Sequence, residues 1–149
     1  MSRPFRVNFS VPELKTALDN ISKYNGKTAA RIEDAVANST KAIGKGARQR
    51  VPVDSGGLKK SIRTSFDKKT IIGTVRARKP HAHLVEFGAG PAVVRPKRKQ
   101  ALTIDELGIR RYAKEAHIPA RAPRPFMRPA YEQEKPHLIS EIIKAVRTS

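Results

Sequence analysis

Cysteine is absent from this 149-residue chain, so neither a disulfide framework nor a thiolate metal site can form, and four histidines remain as soft ligands. This leaves the redox compartment open, with an intracellular origin the simpler expectation. Long apolar runs are missing as well. Arg3, Arg6, Asn8 and Glu13 interrupt "MSRPFRVNFSVPELK", which excludes a signal-peptide core or membrane span there, and no membrane partner is expected. Aromatics are few: with five phenylalanines and three tyrosines, the basic stretches lack the interleaved rings of a single-strand stacking platform. Acids are scarce too. From Lys41 to Lys99 only Asp54, Asp67 and Glu86 occur, and no Ser-His-Asp or paired-carboxylate spacing appears, so nothing points to an enzyme or a bound cofactor.

What is present is positive charge. Thirty-one basic residues against thirteen acidic ones give a formal net charge of +18, which attracts nucleic acid, an anionic membrane or an acidic protein and says nothing of fold. Glu132, Glu134 and Glu141 partly balance the C-terminal segment, which leaves the middle of the chain as the basic surface. The length suits one domain, taken as residues 1–149, with 1–26 an extension carrying a short helix and 105–125 an extended loop.

Periodicity sketches the elements. After "FRVNF", Ser10 and Glu13 form a capping-box pattern; Leu14, Ala17, Leu18 and Ile21 share a helical face that Asn25-Gly26 ends. A longer helix is predicted from Thr28 to Arg50, with Ala29, Ile32, Val36, Ile43 and Ala47 on one stripe. Gly44 and Gly46 weaken it by about 1 kcal/mol each relative to alanine, and Val51-Pro52 stops it. Alternation of Ile62, Thr64 and Phe66, a turn at Asp67-Lys68-Lys69, and Ile71, Val75 and Ala77 on one face predict a β-hairpin. "HAHLVEFGAG" predicts a helical turn closed by Gly88. A second hairpin is expected with Val93-Val94 pairing near Leu102 and Ile104, and a last helix from Pro129 to Ala145 with Pro136 inside or at its start.

Several stretches invite a chemical reading. "SGGLKKS" approaches a P-loop, but Leu58 separates glycine from lysine and a helix precedes it, so a turn explains more residues. In that turn Asp54 or Ser55 caps the backbone, Gly56 or Gly57 supplies positive φ, Leu58 and Ile62 drop onto the core, and Lys59 and Lys60 face outward. His81, His83 and Glu86 form a metal set only if forced together, against the simpler reading of partly exposed histidines. The tip Arg95, Lys97, Arg98 and Lys99, the helix edge at Arg48 and Arg50, and Lys59 and Lys60 are candidates for contact with phosphates or an acidic partner. Arg124, Pro125, Phe126 and Met127 are interface candidates, with a core plug as the competing reading of Phe126.

Three stretches in order, "VPVDSGGLKKSI", "HLVEFGAGP" running into "VVRPKRKQAL", and "RPFMRPA" before a terminal helix, resemble the tail-completion or head-to-tail joining proteins of long-tailed bacteriophages. That family carries a Pro-x-Asp-Thr-Gly-x-Leu-x-x-Ser turn, a Val-Glu-Phe/Tyr-Gly element and a Pro-Phe-hydrophobic-x-x-Ala element. The likeness runs roughly from Ile43 to Ala130 and places Asp54, Gly56, Leu58, Ile62, Glu86, Phe87 and Gly88 in the motifs. Ser55 stands where threonine is usual, Gly57 replaces a larger residue, and the loop before Pro125 lacks a His-Pro-Gly-like segment.

The resemblance implies an α+β fold in which a small twisted antiparallel sheet packs against a long helix of the N-terminal half and a C-terminal helix. It also implies a non-enzymatic virion protein, made in the bacterial cytoplasm, that forms a ring, expected to be a hexamer, between capsid connector or stopper proteins and the tail tube. A tail-completion or terminator role is expected, which sequence does not separate from a head-proximal one; contact with the DNA backbone is a separate expectation raised by the basic residues. Competing classes are a basic, sequence-independent DNA-binding accessory protein and a toxin-like or ribosome-associated basic enzyme; the latter lacks a catalytic set.

Overall fold

The computed structural model describes residues 5–9, 26–97, 102–106 and 109–148. The short helix expected around Leu14 to Ile21, and the basic residues Arg98 and Lys99, lie outside them.

Helix α1, Gly26–Arg50, carries the predicted stripe: Ala29, Ile32, Val36, Ile43 and Ala47 are all buried. Full burial of an isoleucine-sized side chain stabilises by roughly 1.5–3 kcal/mol, so this stripe is what holds the helix. The same face includes Ser39 and Thr40, which the apolar pattern does not mark. Both are satisfied: Thr40 Oγ1 donates to the Val36 carbonyl at 2.7 Å, and Ser39 Oγ donates to Glu134 at 2.9 Å. The helix ends as expected, with a last bond from the Val51 amide to the Ala47 carbonyl before Pro52.

A five-residue helical turn α2, Gly57–Ser61, leads directly into β2, Ile62–Asp67, which pairs antiparallel with β3, Ile72–Ala77. On the far side of β3 lies β1, Phe5–Phe9, giving the order β1-β3-β2. One face of this sheet packs on α1. Ile62, Val75 and Ala77 are buried there, and Gly44 and Gly73 let helix and sheet come close. A Cβ on Gly44 would collide with Thr64, and one on Gly73 with Thr40. These glycines therefore offset their helix and strand cost by permitting contact that alanine would block. Ile71 corrects the predicted strand slightly: it sits in the turn at φ 54°, not in β3. Its side chain still reaches a small cluster with Ala29, Ile32, Ala145 and Ile142, and that burial offsets the strain of a β-branched residue in the left-handed region.

A short helix α3, Ala82–Phe87, ends at Gly88 with φ 76°, in agreement with the sequence pattern. Pairing beyond it differs from expectation. β4, Ala92–Val94, pairs with β7, Ala116–Ile118, while β5, Leu102–Glu106, pairs with β6, Ile109–Ala113. Val93 thus faces His117 in register and not Leu102 or Ile104, because those two residues pair with β6 in the nested β5–β6 hairpin. The 105–125 stretch is accordingly not an extended loop throughout; among its described residues, Lys114, Glu115 and those after Ile118 lack strand, apart from a single bridge between Ala89 and Arg121. The competing signal was weak: alternation in β6 is broken by two arginines, and β7 is three residues long.

Helix α4, Met127–Arg147, starts two residues before the predicted Pro129 and holds Pro136 inside it, exposed. It runs antiparallel to α1. Gly46 meets Ala130 at one end, Arg50 bonds Gln133 nearby, and Arg31 donates to Thr148 at 2.8 Å at the other. Of its larger apolar residues, Leu138 and Ile142 are half-buried, whereas Ile139, Ile143 and Val146 stay exposed. The architecture is α+β, with a small antiparallel sheet and the long and C-terminal helices in contact through α1.

Candidate functional site

The three sequence motifs converge. Leu58 of the turn, Val85 of α3, and Phe126 and Met127 at the head of α4 belong to one core cluster with Val51, Ile62 and Ala82. Residues far apart in the chain are therefore one packing unit.

At its centre is Glu86, 3 % exposed. One carboxylate oxygen accepts the amides of Phe126 and Met127 at 2.8 and 3.0 Å, and the other accepts the amide of Arg128 at 2.9 Å. A helix leaves its first four N–H groups without internal partners. Here the carboxylate takes three of them, and the fourth position is Pro129, which has no N–H. The negative charge also lies at the positive end of the α4 dipole, where it is favourable. Burial of this acid, which has no cationic side-chain partner among the described residues, is thus explained by its hydrogen bonds.

Gly88 completes the joint. Beyond its positive φ, a Cβ there would stand 2.7 Å from the Arg121 carbonyl and 2.9 Å from the Pro123 nitrogen. The incoming segment is held by the Arg124 amide on the Val85 carbonyl at 2.7 Å and by paired bonds between Ala89 and Arg121. Phe87 lies between these fixed residues yet is 65 % exposed.

The turn "VPVDSGGLKKSI" is built as the sequence suggests, with Ser55 rather than Asp54 at the backbone. Gly56 occupies the N-cap at φ 75° and its carbonyl accepts the Lys60 amide, so the positive φ falls on the first of the two glycines. Asp54 is exposed, while Ser55 Oγ accepts the Gly57 amide at 3.5 Å, a long bond that supplements the backbone bonds and the buried Leu58 and Ile62 in closing the turn. Lys59 and Lys60 face outward. No strand precedes the turn, which removes the phosphate-cradle reading.

Other candidates separate. Phe126 and Met127 are core, so the plug reading of Phe126 holds and these two do not offer an interface; Arg124 and Pro125 are exposed. Glu86 is committed to α4 while His81 and His83 are exposed, and no metal-binding group of three ligands occurs among the described residues. Arg48 donates to the Ile62 carbonyl at 3.0 Å and Arg50 to the Gly46 carbonyl at 3.1 Å, so both are engaged within the chain. Arg95 pairs with Glu115 at 3.2 Å, and Lys97 is exposed.

Beside the joint, Pro52, Leu84, Val85, Arg121 and Arg124 line an open groove of about 530 Å³. Beyond it, Val93 and Ile118 of the β4–β7 ladder are 52 % and 40 % exposed. Sequence reading missed the Glu86 cap and the β4–β7 pairing. The Pro at the third helical position, which tells that only three amides need a partner, was the available signal for the cap.

Fold and joint define a small α+β structural domain whose terminal helix is locked by a distant carboxylate. The chain matches the HK97-gp10-like family, described as "Bacteriophage HK97-gp10, putative tail-component", over residues 14–88, just over half its length, and it belongs to that family. It is thereby a structural protein of the bacteriophage tail class, and the match ends at the Gly88 joint. No curated protein and no solved structure matches it. No helix among the described residues is long and apolar enough to cross a membrane.

Proposed function

We propose that this chain is a non-enzymatic component of the phage neck, whose copies close into a ring, sixfold in stoichiometry, joining the capsid connector to the tail tube as a tail-completion or terminator protein. The observation that carries this reading is the arm from Ala92 to Ile118. Its strands pair with one another as two-stranded ladders, and Val93, Val94 and Ile118 stay exposed. A two-stranded ribbon is marginal alone in water, and its open edges and apolar residues favour a neighbouring copy as cover. Heterologous contact of an arm with the next subunit generates a ring when the rotation closes. The exposed Ile139, Ile143 and Val146 on α4 add a second apolar surface for the same use.

Mass measurement of the purified protein, alone and with connector rings of the parent phage, tests this. A closed oligomer is expected in at least one condition, and Val93→Glu with Ile118→Glu is expected to leave monomers and to yield unjoined heads and tails in complementation. A monomer in both conditions, or normal joining by the double variant, overturns the reading.

A further inference from the structure

The outward face of the three-stranded sheet carries a row of arginine positions at right angles to the strands. Arg76 in β3 is in register with Arg63 in β2 on one side and Arg6 in β1 on the other. Like charges directly opposite one another destabilise a sheet, so a row of three is retained against its own repulsion. Arg63 is exposed, Arg76 is half-buried, and neither side chain has an ion-pair or hydrogen-bond partner among the described residues. With strands ~4.8 Å apart, the row spans about 10 Å.

The next row in register is Asn8, Thr74 and Ser65, residue types that hydrogen-bond phosphate oxygens. Asp67, the acid on this face, is turned to the hairpin. Its carboxylate is held below the usual aspartate range by the Thr70 hydroxyl and by the Lys69 amide at 2.9 Å. We propose that this face binds the sugar–phosphate backbone of duplex DNA through Arg63 and Arg76, with Arg6 extending the row.

Two further observations select this occupant. A protein partner needs an apolar contact centre, but the outward positions of β2 are Arg63, Ser65 and Asp67, and Ile72 on β3 is half-buried. Phe66 lies on the opposite face, in register with Gly73, so no aromatic of β2 or β3 is placed to stack on an unpaired base. Binding by charge alone, without base stacking, suits a duplex backbone. The inference is independent of the ring reading, since a monomer carries the whole face.

The test is binding of the full-length protein to a short mixed-sequence duplex across a salt series. Arg63→Gln with Arg76→Gln is expected to weaken binding and to flatten the slope of log K against log salt by about 2, from roughly 0.9 per neutralised phosphate. Its melting temperature is expected to be unchanged or raised, because the repulsion is relieved. Lys41→Gln with Lys45→Gln removes the same charge from exposed positions on α1, and is expected to change the slope less. Ser65→Glu, which places an acid in the adjacent row, is expected to weaken binding without touching either arginine. Equal loss in the lysine control, no binding by the wild type at low salt, a lowered melting temperature in the arginine variant, or equally tight arginine-dependent binding of polyglutamate each overturns the proposal, the last in favour of an acidic protein.

Discussion

The head of α4 and the β arm are neighbours in sequence and opposites in physics. At the head, every available amide of the first turn has a partner, Phe126 is fully buried, and Gly88 admits a backbone that no other residue could pass. In the arm, short strands pair with one another, and valine and isoleucine face solvent. Polar groups are satisfied fully at the joint, while the arm leaves apolar surface open; the ring proposed above assigns that surface to a neighbouring copy.

The contrast can be broken by measurement. Phe126→Ala is expected to cost about 3–5 kcal/mol in denaturant unfolding, from lost burial plus the cavity left behind. Full stability of that variant together with normal head-to-tail joining would falsify the core assignment. Glu86→Gln is expected to cost roughly 2–3 kcal/mol, because one acceptor is replaced by an amide NH₂ facing N–H donors and the charge at the helix end is lost. Gly88→Ala follows at about 1–3 kcal/mol, from the left-handed φ and the close Arg121 carbonyl.

Val93→Ser with Ile118→Ser should leave monomer stability within about 0.5 kcal/mol while lowering assembly. A loss as large as that of Phe126→Ala would show that the arm belongs to the monomer's core. The smallest effect is at Asp67. A carboxylate whose folded pKa lies below its unfolded value stabilises the fold at pH above that unfolded value, and the benefit fades as pH falls through the lowered one. Carbon-detected titration should place its midpoint below that of an unstructured aspartate, and Thr70→Ala should move it upward.

Glu86 shows where sequence reading reached its limit. Its place in a Val-Glu-Phe-Gly element was plain, but an acid in a short helix looks the same whether it meets water or caps a helix that begins forty residues later. Phe126 was readable as plug or anchor for the same reason: apolarity marks a side chain for cover without saying whose. The arm failed differently. Val93 and Val94 have β propensity, but two ladders compete for partners over 92–118, and no local rule chooses between them. Arg48 and Arg50 looked free until β2 and α4 were seen beside them.

By itself the sequence determined α1 and its buried stripe, the chain reversal at Gly56 and Leu58, the β2–β3 hairpin, and the stop of α3 at Gly88. All of these rest on contacts within a few residues, where periodicity, proline and glycine speak directly. Tertiary structure alone decided that β1 joins β3, that β4 finds β7, that Glu86 serves α4, and that three arginine positions fall in one row. Each of these depends on which distant segment arrives, and that choice is made by the summed burial of the whole core.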